Sequence, residues 1–210
     1  MAAFVTATKS VIDEGGIEAA SIRRVSTTAG FSSATLYLYF EDMNELITMS
    51  LISYLSDYVR DAIESASKDE APMSEYCRTW LLFCRHAFAN PSPFYNLYFG
   101  PQSDNLDVIA RKYYELFPEE LERASGRMLD MLGRGSLRER NYVLLASFAP
   151  ELGLSEHEID LANDMTIAFF RSFLHRMSEN PFSEEERASA CEEFLEGALF
   201  VLRAESPDAH

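Results

Sequence analysis

The period of the apolar residues constrains this chain more than any other feature. Leu51, Ile52, Leu55, Tyr58, Val59, Ala62 and Ile63 recur at helical intervals, as do Tyr76, Trp80, Phe83, Cys84, Ala87 and Phe88. Shorter stripes follow at Leu106, Ile109, Tyr113 and Phe117, and at Leu121, Met128 and Leu132. Apolar residues three and four apart share one face of a helix, whereas a half-buried strand needs alternation, which is nearly absent. The expected fold class is all-α. Proline and glycine cut the pattern into ordinary helix lengths. Pro91 and Pro93 stop one helix, Pro118 opens the helix after the Leu106–Phe117 stripe, Gly133 and Gly135 end that one, and Asn180-Pro181 and Ser206-Pro207 close the last two.

Those last two helices are the clearest. Ser155 with Glu158 has capping-box spacing, and Ile159, Ala162, Met165, Phe169, Phe173 and Met177 follow as the inward stripe. Ser183 with Glu186 repeats the device ahead of Ala188, Cys191, Leu195, Ala198 and Leu202. Both helices also carry apolar residues off the stripe: Ile167, Phe170 and Leu174 on the first, Phe194, Leu199 and Val201 on the second. A helix apolar on two sides is buried on two sides. These six residues are expected to form a subunit interface, the alternative being a central helix in a monomer core.

Composition excludes several classes. A hydrophobic content of 47% with 25% charged residues is that of a globular chain, not a disordered one. No apolar run approaches the ~20 residues of a membrane span. The start, MAAFVTATK, lacks a charged segment ahead of an apolar one, so no secretory leader is expected. Cys77, Cys84 and Cys191 are odd in number and match no zinc or redox spacing. Cys77 and Cys84, about 10.5 Å apart in helical rise, are too distant for a disulfide and are expected to pack as small apolar residues in a protein of the cytoplasm. The net charge of -16 opposes nonspecific binding to phosphate polymers or anionic membranes, so any nucleic-acid function must come from a local arrangement.

Such an arrangement exists in the first forty-six residues. Residues 4–14 read as a helix with Phe4, Val11 and Ile12 inward, closed by Gly15-Gly16. Ser21 caps a short helix holding Ile22, Val25 and Ala29. Gly30 supplies a turn, and Ser32 caps a third helix carrying Leu36 and Phe40 inward. Helix, short glycine turn, helix is the helix-turn-helix signature, whose second member enters the major groove.

The stretch SIRRVSTTAGFSSATLYLYF at residues 21–40 closely resembles the helix-turn-helix of the TetR family of transcriptional regulators. The likeness runs from Gly16 to Phe40, through the Ala29-Gly30 turn and the Thr35-Leu36-Tyr37 and Tyr39-Phe40 run. It implies a DNA-binding domain over residues 1–46 and an effector-binding and dimerisation domain over residues 47–205. It also implies that Ser32 caps the recognition helix, that Ser33 and Ala34 begin its groove-facing side, and that Thr35, Tyr37 and Tyr39 occupy base or phosphate positions. Ser21, Arg23 and Arg24 stand at the phosphate-facing start of the preceding helix. Hydroxyls reach phosphates and base edges, and methyl groups touch thymine methyls. The implied partners are a near-palindromic double-stranded DNA operator, a small apolar or aromatic effector, and a second copy of the chain.

The sequence departs from the family pattern just after the recognition helix. Glu41-Asp42-Met43-Asn44 stands there, with Met43 at the position of a phosphate-anchoring lysine. Lys9, Arg23 and Arg24 face Asp13, Glu14, Glu18, Glu41, Asp42 and Glu45, a local net of -3 over residues 1–46, and the chain starts inside the first helix with no basic arm expected ahead of it. Each absent phosphate contact weakens binding at every sequence and lowers the salt slope by about 0.9. DNA binding is therefore expected to be weak and salt-sensitive. The alternative is an all-α dimeric small-molecule-binding or interaction protein with a degenerate helix-turn-helix. Glu41 and Asp42 also suit the cap and dipole of a helix beginning near Asn44.

Aromatics concentrate in residues 76–117. Trp80, Phe83, Cys84, Phe88, Phe94, Tyr98, Tyr113 and Phe117 are the expected effector-pocket lining, with Tyr142 and Phe148 as far walls. The alternative for most of them is core packing. Residues 90–105 are expected to be a flexible entrance. His86 is expected to be a satisfied or exposed histidine, and His157 and His175 have no partners at metal-ligand spacing. No nucleophile elbow, phosphate loop or HExxH occurs, so no catalytic residue, metal or cofactor is expected.

Overall fold

A computed structural model describes residues 1–66, 70–120 and 136–204, side chains to residue 202. Among them every regular element is helical: α1 (Ala2–Gly15), α2 (Ile22–Ala29), α3 (Ser33–Leu36), α4 (Met43–Leu51), α5 (Leu55–Ser65), α6 (Pro72–Ala89), α7 (Pro91–Phe99), α8 (Leu106–Leu116), α9 (Leu137–Ala146), α10 (Glu156–Glu179) and α11 (Glu184–Ala204). The helix expected at Leu121, Met128 and Leu132 with its stop at Gly133 and Gly135, and the end expected at Ser206-Pro207, lie outside the described residues.

The boundaries follow local chemistry. Ser21, Ser32, Asp42, Ser136 and Ser155 each accept the backbone N–H three residues on, filling a donor that a helix start leaves open. Ser155 and Glu158 complete the reciprocal capping box. Gly16 and Gly30 sit at φ 77° and 76°, where a side chain is strained, so glycine is needed just after α1 and just after α2.

Two segments differ from the sequence reading. Pro91 does not lead into a loop; it takes the first turn of α7, where its missing N–H is no loss. Phe94 and Leu97 of α7 are buried, so residues 90–105 form a packed helix and a 3₁₀ turn, not a flexible entrance. α9 was not anticipated, although Ser136 followed by Glu139 is the same start signal that marks α10.

The core is an aromatic network across α5, α6, α7, α10 and α11. Phe83 lies 5.1 Å from Tyr58, 5.7 Å from Phe94, 5.7 Å from Tyr98 and 5.3 Å from Phe170, between ring centroids. Phe170 also meets Trp80 at 5.3 Å, Phe88 at 5.8 Å and Phe194 at 5.6 Å. Phe170, Leu174 and Phe194, expected at a subunit interface, are therefore wholly inside the single chain. Conversely Met165, expected inward, is 46% exposed. Of the expected inward stripe of α10, Ile159, Ala162, Phe173 and Met177 are buried, but Thr166, Phe170 and Leu174 take the inward places expected of Met165 and Phe169, and the rings of Phe170 and Phe173 meet α6 and α11.

A buried polar chain crosses this core. The Trp80 indole donates to Asn141 Oδ1 at 2.8 Å, Asn141 Nδ2 donates to Asn163 Oδ1 at 2.8 Å, and Asn163 Nδ2 donates to the Arg138 carbonyl at 3.0 Å. Asn141→Ala orphans the indole N–H and the Asn163 carbonyl. Each orphan costs about 1–3 kcal/mol. The expected result is a lower urea midpoint with a red-shifted emission of the single tryptophan. An unchanged midpoint would show that water replaces the amide.

Candidate functional site

The helix-turn-helix is assembled on α1. Val25 of α2, Leu36 of α3, Phe40 and Phe4 are fully buried together, while Gly30 in the left-handed region donates its N–H to the Ser26 and Thr27 carbonyls and turns the chain into α3. That packing leaves Ser33, Ala34, Tyr37, Leu38 and Tyr39 exposed along one end of the molecule. Leu38, 78% exposed, was not singled out from sequence; its signal was an apolar residue in the tyrosine run that no helical stripe absorbs.

The recognition segment is tighter than a regular helix. α-Helical geometry stops at Leu36, and Leu38 and Tyr39 donate their N–H groups to the Thr35 and Leu36 carbonyls at 3.2 and 3.0 Å in 3₁₀ fashion. Tyr39 consequently rests near Phe4, ring centroids 6.5 Å apart, while Tyr37 projects freely at 55% exposure. The Ser32 hydroxyl caps Thr35 N–H at 3.3 Å and bonds the Thr35 hydroxyl at 2.9 Å, which orients Thr35.

The cations are partly committed. Arg24 pairs with Glu14 at 2.9 Å and Lys9 pairs with Asp13 at 2.6 Å, whereas Arg23 is exposed and makes no ion pair among the described residues. Exposed pairs contribute little stability, so Arg24 is exchangeable between Glu14 and an incoming phosphate. Asp13 also accepts from the Tyr54 hydroxyl at 2.5 Å, tying α1 to the turn before α5. Burial works to raise the Asp13 carboxyl, but the bonds from Lys9 and Tyr54 prevail and hold it below its ordinary value. Its stabilising effect is thus present above the unfolded pKa and fades as pH falls.

The acidic run has a structural use. Asp42 is the N-cap of α4, accepting Glu45 N–H at 2.8 Å, and Met43 is the first helical residue. Glu45, which sequence reading counted only as an anion, is nearly buried. It accepts the Glu41 N–H at 2.8 Å and pairs with Lys112 of α8 at 2.6 Å. One carboxylate therefore joins the end of the helix-turn-helix, the start of α4 and the bundle.

The aromatic segment is mostly core. Cys84, Phe88 and Phe94 are closed off by neighbours and line no cavity among those described; Trp80 and Phe83 adjoin a void of about 20 Å³, room for about one water. Tyr113 and Phe117 pair with each other at 4.8 Å, Tyr113 donating to Glu120 at 2.7 Å. Phe148 packs on Tyr76, and Tyr142 is half-buried in α9. Among the described residues, Tyr98 is the member of the expected lining that borders a large cleft, about 580 Å³ between α7, α8, α9 and α10, with Phe99, Leu106, Leu137, Arg138 and Ile167. Sequence periodicity cannot separate a wall from a core, since both are apolar at the same spacing. His86 is satisfied by Asp61 at 2.9 Å, and His175 lies tilted beside Tyr95, ring centroids 5.7 Å apart.

The outer surface of α10 and α11 carries an uncovered apolar face. Leu161 and Met165 on α10 are exposed, Phe169 a turn further on is half-buried against Phe194, and Phe200 on α11 is 70% exposed. Gly197 has no side chain to push Phe169 away from α11. Of the six expected interface residues, Ile167, Leu199 and Val201 keep partial exposure. Among the described residues no helix is long and apolar enough to cross a membrane.

The fold is thus a helix-turn-helix on α1–α3, joined through α4 to a larger helical bundle. Residues 4–48 match the family of bacterial regulatory proteins, tetR family. Several solved structures resemble nearly the whole chain, two of them from Rhodococcus. One is a transcriptional regulator from Rhodococcus sp. Rha1, with a TM-score of 0.53 and 15% identity, covering 95% of each chain. The other is a TetR-like transcriptional regulator from Rhodococcus sp. RHA1, with a TM-score of 0.50 and 14% identity, covering 95% of this chain and 94% of that one. No curated protein matches the sequence. The chain carries the N-terminal helix-turn-helix domain of the TetR family, and at these identities the structural likeness speaks to the fold alone.

Proposed function

We propose that this protein is a ligand-responsive transcriptional repressor that binds near-palindromic DNA as a homodimer and is released by a small molecule. The observation that carries this reading is the outward set Ser33, Ala34, Thr35, Tyr37 and Tyr39, joined by Leu38, on a helix-turn-helix matched to a family of regulatory proteins. Residues 1–46 form the reading head and residues 47–205 the sensor and dimerisation region, with α4 spanning the boundary. The dimer forms through Leu161, Met165, Phe169 and Phe200, and two heads then reach successive major grooves about 34 Å apart. The effector enters the cleft beside Tyr98. Displacement of α8 there would pull on Glu45 through Lys112 and tilt α4, so effector and DNA compete through one coupling free energy.

Arg24 paired with Glu14, and Met43 where a lysine would anchor phosphate, favour the second reading, a dimeric binding protein with a lapsed reading head. Binding to random duplexes across salt concentrations separates the two. Thr35→Ala and Tyr37→Phe are expected to reduce specific binding, and Met43→Lys to strengthen it while steepening the salt slope by about 0.9. A protein that binds no duplex even at low salt, with Met43→Lys equally inert, would sink the repressor reading.

A further inference from the structure

We propose that Cys84 and Cys191 are an oxidisable thiol pair, which a hydroperoxide converts to a disulfide bridging α6 and α11 within one chain. The register of the two helices brings them together. α6 and α11 pack antiparallel, with Trp80 and Phe194 in ring contact at 4.8 Å. One turn further along α6 is Cys84, and one turn back along α11 is Cys191. Both lie at the seam, Cys84 fully buried and Cys191 3% exposed beside Leu81, Arg85 and Ala89 of α6, and the small Ala87 and Ala190 next to them leave the helices room to approach. Close approach is what a disulfide requires.

The two sulfurs are not equivalent. Burial, with the neighbouring Cys191 sulfur adding to it, pushes the Cys84 thiol well above its ordinary value. The Cys84 thiol beside it lowers Cys191, with burial opposing, Arg85 assisting and Glu192 working against. Cys191 borders a groove of about 410 Å³ that Arg85, Arg187 and Glu192 also line, so a small oxidant reaches Cys191 and not Cys84. Phe200 stands nine residues on, half a revolution round α11, so the groove and the uncovered apolar face lie on opposite sides.

The chemistry balances without further reagents. The Cys191 thiolate attacks one peroxide oxygen, the O–O bond breaks, the leaving oxygen takes a proton, and Cys191 becomes a sulfenic acid. Cys84 sulfur then attacks Cys191 sulfur, forming S–S and breaking S–O, and the oxygen departs with a proton. Two thiols lose two electrons, and hydrogen peroxide becomes two waters.

The test is independent of DNA binding. The reduced full-length protein is treated with hydrogen peroxide and followed by intact mass, by thiol count after denaturation, and by peptide mapping without reductant. The expected result is loss of two of the three thiols together, a mass decrease of about 2 Da, a linked pair of peptides containing Cys84 and Cys191, and reversal by dithiothreitol. Cys77→Ser leaves this pattern unchanged. Cys84→Ser leaves Cys191 as a sulfenic acid trapped by dimedone, and Cys84→Ala serves the same purpose if serine at that buried position prevents folding. Oxidation of one thiol without a bridge in the wild type, a bridge to Cys77 or between two chains, or three intact thiols would each overturn the proposal.

Discussion

Phe170→Ala should lower the thermal unfolding midpoint by about 6–20 °C while leaving the mass in solution unchanged. Phe170 is fully buried and holds Trp80, Phe83, Phe88 and Phe194 at once. Truncating a buried phenylalanine costs about 3–5 kcal/mol, from lost burial and from the cavity left when rigid neighbours relax only partly. In a chain of this size each kcal/mol moves the midpoint by about 2–4 °C. Differential scanning calorimetry with sedimentation of the same samples decides the matter. A variant of unaltered midpoint that sediments at a lower mass would return Phe170 to a subunit interface.

Phe200→Asp should do the opposite. Its ring is mostly solvent-exposed in the single chain, and surface changes alter stability by within about 0.5 kcal/mol. In a two-fold dimer each copy would place its aspartate against an apolar surface, so one substitution acts twice. A buried carboxylate left unpaired costs several kcal/mol, and about 2.7 kcal/mol already weakens association a hundredfold. If the proposed dimer forms in the wild type, sedimentation is expected to show a folded monomer at the same concentrations, with helical circular dichroism retained. A dimer of unaltered Kd would move the proposed interface elsewhere.

These two phenylalanines also show where the sequence was legible and where it was not. Both stand on helices whose capping serines and apolar periods were plain in the chain, and Ser155 with Glu158 forms the capping box its spacing implies. Which side of α10 faces inward was not plain, because a helix apolar on two sides offers the same spacing to a neighbouring helix and to a second chain. The neighbours α6 and α11 decided it, burying Phe170 and Leu174 and leaving Met165 outside. Pro91 carried a similar ambiguity: a proline ends one helix as readily as it begins another, and only the packing of Phe94 and Leu97 selects the second.

The small site at the head was largely readable. Gly30, Ser32, Leu36 and Phe40 are local requirements of a turn, a cap and a buried face, and they act over a few residues. The acidic run after it was readable in part. Asp42 as a cap follows from spacing, but the bond between Glu45 and Lys112 joins positions far apart in the chain, which no period announces.

The sequence by itself determined an all-α chain, its helix starts and stops, and a helix-turn-helix at its beginning, because periodicity, capping and glycine turns are local effects. Tertiary structure alone decided which aromatics are core, which apolar face is left uncovered, and that Cys84 lies opposite Cys191. Each depends on which helix lies beside which, and side chains distant along the chain choose one another by fitting together.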